Sequence, residues 1–267
     1  MEKSEEMMID FEIAQKSFNK YLENYNLKNE SIKLKIMHTY ETVKMSEYIT
    51  TKLGLDKENI NLSKLIALLH DIGRFEQIKN CGKFDDNKYN HANYAINALF
   101  KKKLINNFIK DRKYDYIIAS AIYNHNKFKI EDSLSDIELL HCKIIRDSDK
   151  LDNFRVKKDN KLENIFPKIY NKKTINYETI TLKVYHDFMK HKCIKKDDRK
   201  TIIDYWVCVI AFIYDLNFDI SLKYIYENNY IDILIDKIEY KNKDTKQRME
   251  DIRECAKNYI FEKCNIC

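Results

Sequence analysis

Glycine and proline are almost absent from this sequence, which has three glycines and one proline among 267 residues. Tight turns between β-strands often require these two residue types. Because they are scarce here, the sequence does not favour a protein of many short strands. Apolar residues recur instead at helical spacing along most of the chain, and strand-type alternation is never sustained. The sequence therefore predicts an all-α fold.

The composition and charge are those of a globular protein with a mild basic bias. Hydrophobic residues make up 44% and charged residues 34% of the chain, which is unlike a disordered protein. The 48 basic residues exceed the 42 acidic residues by six, without a dense Lys/Arg tract. This bias suits a small anionic substrate and does not predict nucleic-acid binding.

Several features favour a cytoplasmic protein with no membrane partner. The first six residues are polar and acidic, unlike a signal peptide, and the most apolar run, residues 206–214, is far shorter than the ~20 residues of a membrane helix. Seven cysteines at irregular spacings suit reduced thiols. Cys264 and Cys267 form a lone Cys-x-x-Cys pair, for which terminal free thiols are favoured over a zinc or redox site.

Helical periodicity predicts ten helices and three parts. The predicted helices cover residues 5–25, 31–53, 60–72, 90–105, 112–126, 136–157, 178–190, 198–216, 219–239 and 244–262. Ser31 is the predicted N-cap of the second helix and Gly54 follows its end, Gly73 stops the third, residues 74–89 form a loop, and Pro167 lies in a connecting stretch. We expect an N-terminal helix (1–30) packed on a helical core (31–157), and a C-terminal helical extension (158–267) within the same globule.

Histidines and carboxylates lie within the predicted core helices or at their ends. His38 lies within the second helix, His70 and Asp71 close the apolar third, His91 opens the next, and His125 ends the one after. Further carboxylates occur in the run Arg-Asp-Ser-Asp-Lys-Leu-Asp at 146–152. Buried charged groups need partners, and imidazoles and carboxylates converging from different helices form metal sites in bundles. We therefore predict a metal site of mixed nitrogen and oxygen ligands, which suits Mn, Fe, Co, Ni or Zn. The remaining histidines, His141, His186 and His191, are predicted to be structural.

This ordered set resembles the HD superfamily of metal-dependent phosphohydrolases over roughly residues 31–157. The His-Asp dipeptide is followed by Ile-Gly-Arg, and residues 68–76, 90–92 and 144–152 are similar to a bacterial subgroup of HD proteins of undefined substrate. The resemblance implies an HD-type helical bundle with additional C-terminal helices. It also implies hydrolysis of a phosphate ester or phosphoanhydride, in a mono-, cyclic or dinucleoside polyphosphate nucleotide, by a metal-activated hydroxide at a dinuclear site.

The resemblance also implies a ligand set. His38, His70, Asp71 and a late aspartate would bind the first metal, and His91 and His125 the second, with Asp71 bridging the two. Asp147 and Asp149 are both available, and the family pattern of small residue, Asp, basic residue, Leu favours Asp149. Two divalent transition metal ions are expected, with Mg as a further option.

Three alternatives stay open at this point. His91 and His125 would contact only substrate phosphate if the site held one metal. Arg74 and Lys150 are predicted catalytic, substrate-binding residues that neutralise phosphate charge, or they pair with Glu76 and Asp152. A catalytically inactive HD domain that acts as a nucleotide sensor or a protein-binding module is the alternative to an enzyme, and a nuclease is disfavoured because there is no basic stripe. The sequence does not define an oligomeric state.

Overall fold

Helices make up all the regular structure in the part of the chain that the computed structural model describes, residues 9–82, 90–166, 170–171 and 174–265. This confirms the all-α prediction. Pro167, Cys267 and the first eight residues, which carried sequence predictions, lie outside the described residues. No helix among the described residues combines the length and the apolar character needed to cross a bilayer.

The chain divides into two compact units, Met1–Asp149 and Lys150–Cys267, and the boundary falls inside one long helix, α7. The helices up to that point are α1 (Phe11–Leu22), α2 (Glu30–Lys52), α3 (Lys57–Leu69), α4 (Ile72–Cys81), α5 (His91–Ile96), α6 (Asp115–Asn124) and α7 (Asp136–Asp159). A π-helical turn, Asn97–Lys101, continues α5, and short 3₁₀ turns occupy Leu104–Asn107 and Arg112–Tyr114.

Helix α3 is the centre of the first unit, where it packs against α1, α2 and α6. Its predicted apolar stripe, Leu62, Leu65, Ile66 and Leu69, is at most 1% exposed. Burial of each such side chain is worth roughly 1.5–3 kcal/mol. The end of α3, which carries the His-Asp dipeptide, is therefore held deep in the unit.

Helix α2 begins earlier than the sequence predicted. The capping residue is Asn29, whose side chain accepts hydrogen bonds from the backbone N–H groups of Ser31 and Ile32 at 2.9 and 3.2 Å. The prediction of Ser31 as N-cap is therefore wrong, since Asn caps as well as Ser does and lies upstream. The end is as predicted, with Gly54 following the helix at a φ of +70°, in the left-handed region that glycine adopts without strain.

The predicted loop 74–89 is wrong for its first half, because residues 72–81 form α4. The sequence predicts that Gly73 stops α3, and this prediction is wrong, because α3 stops at Leu69 and Gly73 lies in the first turn of α4. A Cβ at Gly73 would lie 2.3 Å from the carbonyl oxygen of His91 and 2.8 Å from the amide nitrogen of Ala95. This glycine allows α4 and α5 to approach each other closely.

The second unit is built around a buried apolar helix. Its helices are α8 (Leu162–Ile165), α9 (Leu182–Met189), α10 (Ile202–Ile210), α11 (Asp219–Glu227), α12 (Tyr230–Asp236) and α13 (Lys243–Cys264). Trp206 of α10 is fully buried and donates a hydrogen bond from Nε1 to the carbonyl oxygen of Leu234, at 2.8 Å. The single helix predicted for 219–239 is wrong, because Asn229 takes a φ of +53° and separates α11 from α12. Asparagine tolerates this conformation better than most residues.

Candidate metal centre

The His-Asp dipeptide lies at the junction between α3 and α4. His70 caps the C-terminus of α3 and is 0% exposed, and Asp71 precedes α4 and is 5% exposed. The Nδ1 of His70 lies 2.7 Å from the carbonyl oxygen of Ala67. Because a carbonyl can only accept, Nδ1 carries the proton and Nε2 keeps its lone pair. A histidine held in this tautomer is oriented for metal binding through Nε2.

One group of potential ligands joins three helices. His38 from α2, His70 and Asp149 from α7 have their donor atoms within 4.8 Å of one another. His38 Nε2 lies 3.1 Å from Asp149 Oδ1, and His70 Nε2 lies 4.0 Å from the same oxygen. The group contains Asp149, the favoured aspartate of the late pair, whereas Asp147 is 0% exposed and belongs to neither group found among the described residues.

A second group lies on the other side of Asp71. The donor atoms of Asp71, His91 and His125 are likewise within 4.8 Å of one another. His91 Nε2 and His125 Nε2 are 3.4 and 3.7 Å from Asp71 Oδ1 and 3.1 Å from each other. His125 repeats the arrangement of His70, since its Nδ1 lies 2.6 Å from the carbonyl oxygen of Ile122, which leaves the Nε2 lone pair directed at the group.

Asp71 faces both groups with different oxygens. Its Oδ2 lies 3.4 Å from His70 Nε2 and 3.6 Å from His38 Nε2, whereas its Oδ1 is the oxygen nearest His91 and His125. A carboxylate in this position can serve two cations at once. The four imidazole rings form a chain with successive centroids 5.1–5.4 Å apart.

Donor chemistry and unsatisfied atoms both fit a divalent metal centre. Within the described residues, His70 Nε2 and Asp71 Oδ1 are buried and make no hydrogen bond, although buried polar atoms are rarely left this way. Imidazole nitrogens with carboxylate oxygens are the donor set of Mn, Fe, Co, Ni and Zn sites. The residues present therefore fit such ions.

Protonation states in the cluster also favour cation binding. Burial opposes ionisation of Asp71, but the charge of Lys35, together with the interactions that His70 makes, outweighs it and holds the pKa of Asp71 well below the usual value. The pKa of Asp149 is lowered in the same way, because the hydrogen bond and the charge of His38 outweigh the effect of burial. Burial lowers the pKa of His91 to about 2 against the opposing charge of Asp71. Both carboxylates are thus ionised and His91 is neutral near pH 7.

The two predicted phosphate-binding cations have different neighbours. Arg74 lies beside the second group, with Nε 3.7 Å from Asp71 Oδ1 and Nη1 donating to Gln77 at 2.7 Å. Glu76, an alternative partner for Arg74, accepts from Tyr25 at 2.6 Å. Lys150 makes an ion pair with Asp215 at 2.7 Å. Asp152, the alternative partner for Lys150, pairs with Arg155 at 2.5 Å.

Three residues near the cluster were missed in the sequence. Lys35 contacts Asp71 Oδ2 at 2.5 Å, and the Nδ2 of Asn126 lies 3.2 Å from His91 Nε2. Arg146, 2% exposed, donates from Nη1 to the carbonyl oxygens of Asn124 and Lys127 at 3.0 and 2.6 Å and so holds the turn that carries His125. The helical spacing of Lys35 and His38 was a signal that could have revealed the first, since residues three apart share a helix face.

Comparison with known proteins agrees with this geometry. Residues 36–153 match the HD domain family, a segment that contains both ligand groups. No curated protein and no solved structure matches the chain. Residues 36–153 of this chain are therefore similar to the HD domain, the domain of a superfamily of metal-dependent phosphohydrolases.

Proposed function

We propose that this protein hydrolyses a phosphate ester or phosphoanhydride of a nucleotide at a dinuclear metal centre. The observation that carries the proposal is the position of Asp71, which directs one carboxylate oxygen at each of two histidine-containing groups. A site built for one cation has no need of this second group, whose imidazoles would otherwise be poorly placed in an apolar surrounding.

In this proposal each group holds one divalent ion. The first ion would be held by His38, His70, Asp71 and Asp149, and the second by Asp71, His91 and His125. Divalent ions bound there would lower the pKa of water for attack on phosphorus and offset charge on the phosphoryl oxygens.

The protein's own groups would orient the metal ligands and neutralise charge on the substrate. Asp71 stays ionised and fixes the spacing of the two groups, and the backbone carbonyls of Ala67 and Ile122 hold His70 and His125 in the ligating tautomer. Arg74, beside Asp71 Oδ1, would offset developing charge on the transferring phosphoryl group. We assign the same role to Lys150, whose ammonium pairs with Asp215.

Substrate class and compartment belong to the proposal as well. A nucleotide is proposed because the HD resemblance implies a mono-, cyclic or dinucleoside polyphosphate nucleotide as the substrate. A cytoplasmic location is supported by the cysteines of the described chain, all of which are free thiols, as expected in a reducing compartment.

The test combines metal analysis with a hydrolysis panel. Protein reconstituted in turn with Mn²⁺, Co²⁺, Ni²⁺, Fe²⁺, Zn²⁺ and Mg²⁺ would be assayed against mono-, cyclic and dinucleoside polyphosphate nucleotides. We expect two bound ions per chain and hydrolysis of one nucleotide class. His70→Ala should lose metal and activity, and His91→Ala and His125→Ala should each remove one metal equivalent.

The matched control is His186→Ala, which removes an exposed imidazole of α9 and should leave metal content and activity unchanged. One tightly bound ion per chain, with the same stoichiometry in His91→Ala and His125→Ala, would exclude the dinuclear centre. Two bound ions without hydrolysis of any nucleotide would favour the inactive sensor or binding module.

A further inference from the structure

Lys35 places a second cationic group in the candidate metal centre. It lies on α2 three residues before His38, so both side chains project from the same face of the helix. Its ammonium nitrogen is 2.5 Å from Asp71 Oδ2, and its side chain is only 13% exposed. Neither the composition of the chain nor the HD resemblance assigned this residue a role.

The ammonium contacts the same oxygen that faces the first ligand group. Asp71 Oδ2 is 3.6 Å from His38 Nε2 and 3.4 Å from His70 Nε2. An ion held by this group would share the oxygen with Lys35, and two like charges on one carboxylate oxygen repel each other. The Lys35–Asp71 ion pair and cation binding therefore compete.

A mostly buried ammonium whose contact with one anion weakens is stabilised by another anion, because burial of a charge is costly. The carboxylates of the centre, Asp71 and Asp149, would already be neutralised by the bound ions. The next anion to reach the site would be the substrate's phosphoryl group. The four-carbon stem of lysine lets the charge shift toward it while the backbone of α2 stays fixed.

We propose that Lys35 is a phosphate-binding residue of this centre, which holds Asp71 before the ions bind and contacts a phosphoryl oxygen of the substrate afterwards. The inference rests on the proposed function and deepens it. Lys35 on Oδ2 and Arg74 on Oδ1 then flank the bridging carboxylate and supply one cation on each side of the phosphoryl group.

The experiment compares Lys35→Met with Lys33→Met. Lys33 lies on the same helix, has a 53% exposed side chain and pairs with Glu30, so its replacement removes an equal charge away from the centre. Calorimetry would measure Mn²⁺ binding to each metal-free protein and then inorganic phosphate binding to each Mn²⁺-loaded protein. Lys35→Arg tests rescue, and circular dichroism confirms folding in every variant.

For Lys35→Met we expect Mn²⁺ affinity to rise about tenfold, because one like charge leaves a partly buried site. Phosphate affinity should fall about tenfold or more, since a charge-assisted contact is lost. In hydrolysis, KM should rise more than kcat falls. Lys35→Arg should recover phosphate binding at least in part, and Lys33→Met should match the wild type.

The outcomes separate this inference from the proposed function. Normal Mn²⁺ uptake in every protein, with phosphate affinity unchanged in Lys35→Met, would overturn the assignment of Lys35 and leave the dinuclear centre standing. The same holds if Mn²⁺ binding tightens but phosphate affinity is unchanged, because Lys35 would then only compete with the ion. A wild-type protein that takes up no divalent ion would overturn the proposed function and this inference together.

Discussion

At the scale of single residues, Asp149 and Asp147 offer a sharp comparison because they lie two positions apart on α7. Asp149 Oδ1 lies 3.1 Å from His38 Nε2, whereas Asp147 is fully buried. We expect Asp149→Asn to lower hydrolysis by at least ~100-fold and to remove one metal equivalent, since even outer partners of ligands are worth 10–100-fold.

Asp147→Asn serves as the comparison and should act through stability, with metal stoichiometry retained. Metal analysis and kcat would be measured on both proteins after their melting temperatures are determined. Full activity and metal content in Asp149→Asn, together with loss of both in Asp147→Asn, would reverse the assignment.

His141 predicts a pH dependence of stability that is separate from the metal centre. It is buried, with Nδ1 2.9 Å from the Ser63 hydroxyl and Nε2 3.1 Å from Asn59 Oδ1. Asn59 Oδ1 can only accept, so Nε2 carries the proton and Nδ1 accepts from Ser63. Burial lowers the pKa of His141 to about 4, against the opposing charge of Asp56.

Because the folded-state pKa lies below the unfolded value of about 6.5, the unfolded state binds more protons between these values. The free energy of unfolding should therefore be largest above pH 6.5 and fall by up to about 3 kcal/mol as the pH drops to 4. Urea titrations of metal-free protein across this range would measure it. The difference between wild type and His141→Gln isolates the effect, and equal pH slopes in the two proteins would contradict it.

At the scale of elements, the close approach of α4 and α5 depends on Gly73. Gly73→Ala would place a methyl group against the backbone of His91 and Ala95, at 2.3 and 2.8 Å, and backbone atoms cannot move aside cheaply. We expect destabilisation of about 3 kcal/mol and weaker binding of one metal ion, because His91 begins α5.

Gly82→Ala is the matched control, since a Cβ at Gly82 meets nothing within 4 Å and only its φ of +65° opposes a side chain. It should cost roughly 1–2 kcal/mol and leave metal binding unchanged. Denaturant unfolding and metal titration would be run on both variants. Equal metal affinities in the two variants would show that the contact with α5 does not position His91.

The same elements show what could be predicted from the sequence. The apolar stripe of α3 and the placing of His70, His91 and His125 at helix ends followed from periodicity, because burial of one face imposes a helical repeat. Gly73 was misread because a glycine that permits close packing has the same local signature as one that ends a helix. The break at Asn229 was not predicted because the apolar pattern continues across it. The position of Lys35 in the site was not predicted because its partner Asp71 is 36 positions away. Pairing between residues so far apart in sequence follows from tertiary packing.

At the scale of the whole molecule, metal binding should stabilise the native state. Both ligand groups join residues far apart in sequence, so the unfolded chain offers no comparable site. With free Mn²⁺ at about 100 times its dissociation constant, the added stability should be about 2.7 kcal/mol. Thermal melts of wild type and His70→Ala, with Mn²⁺ and with a chelator, would measure it. A wild-type melting temperature that is indifferent to Mn²⁺, or an equal shift in His70→Ala, would contradict the prediction.

The spread of ligands along the chain also bears on how the molecule folds. The donors come from helices α2 to α7, and His38 and Asp149, which lie 3.1 Å apart, are separated by more than 100 residues of sequence. Contacts between residues so far apart in sequence form only after long loops have closed. We therefore expect the metal centre to assemble late, after the folding transition state. Interactions absent from that transition state slow unfolding and leave the folding rate nearly unchanged. A cation in this centre would therefore slow unfolding and extend the lifetime of the native state, without making the chain fold faster.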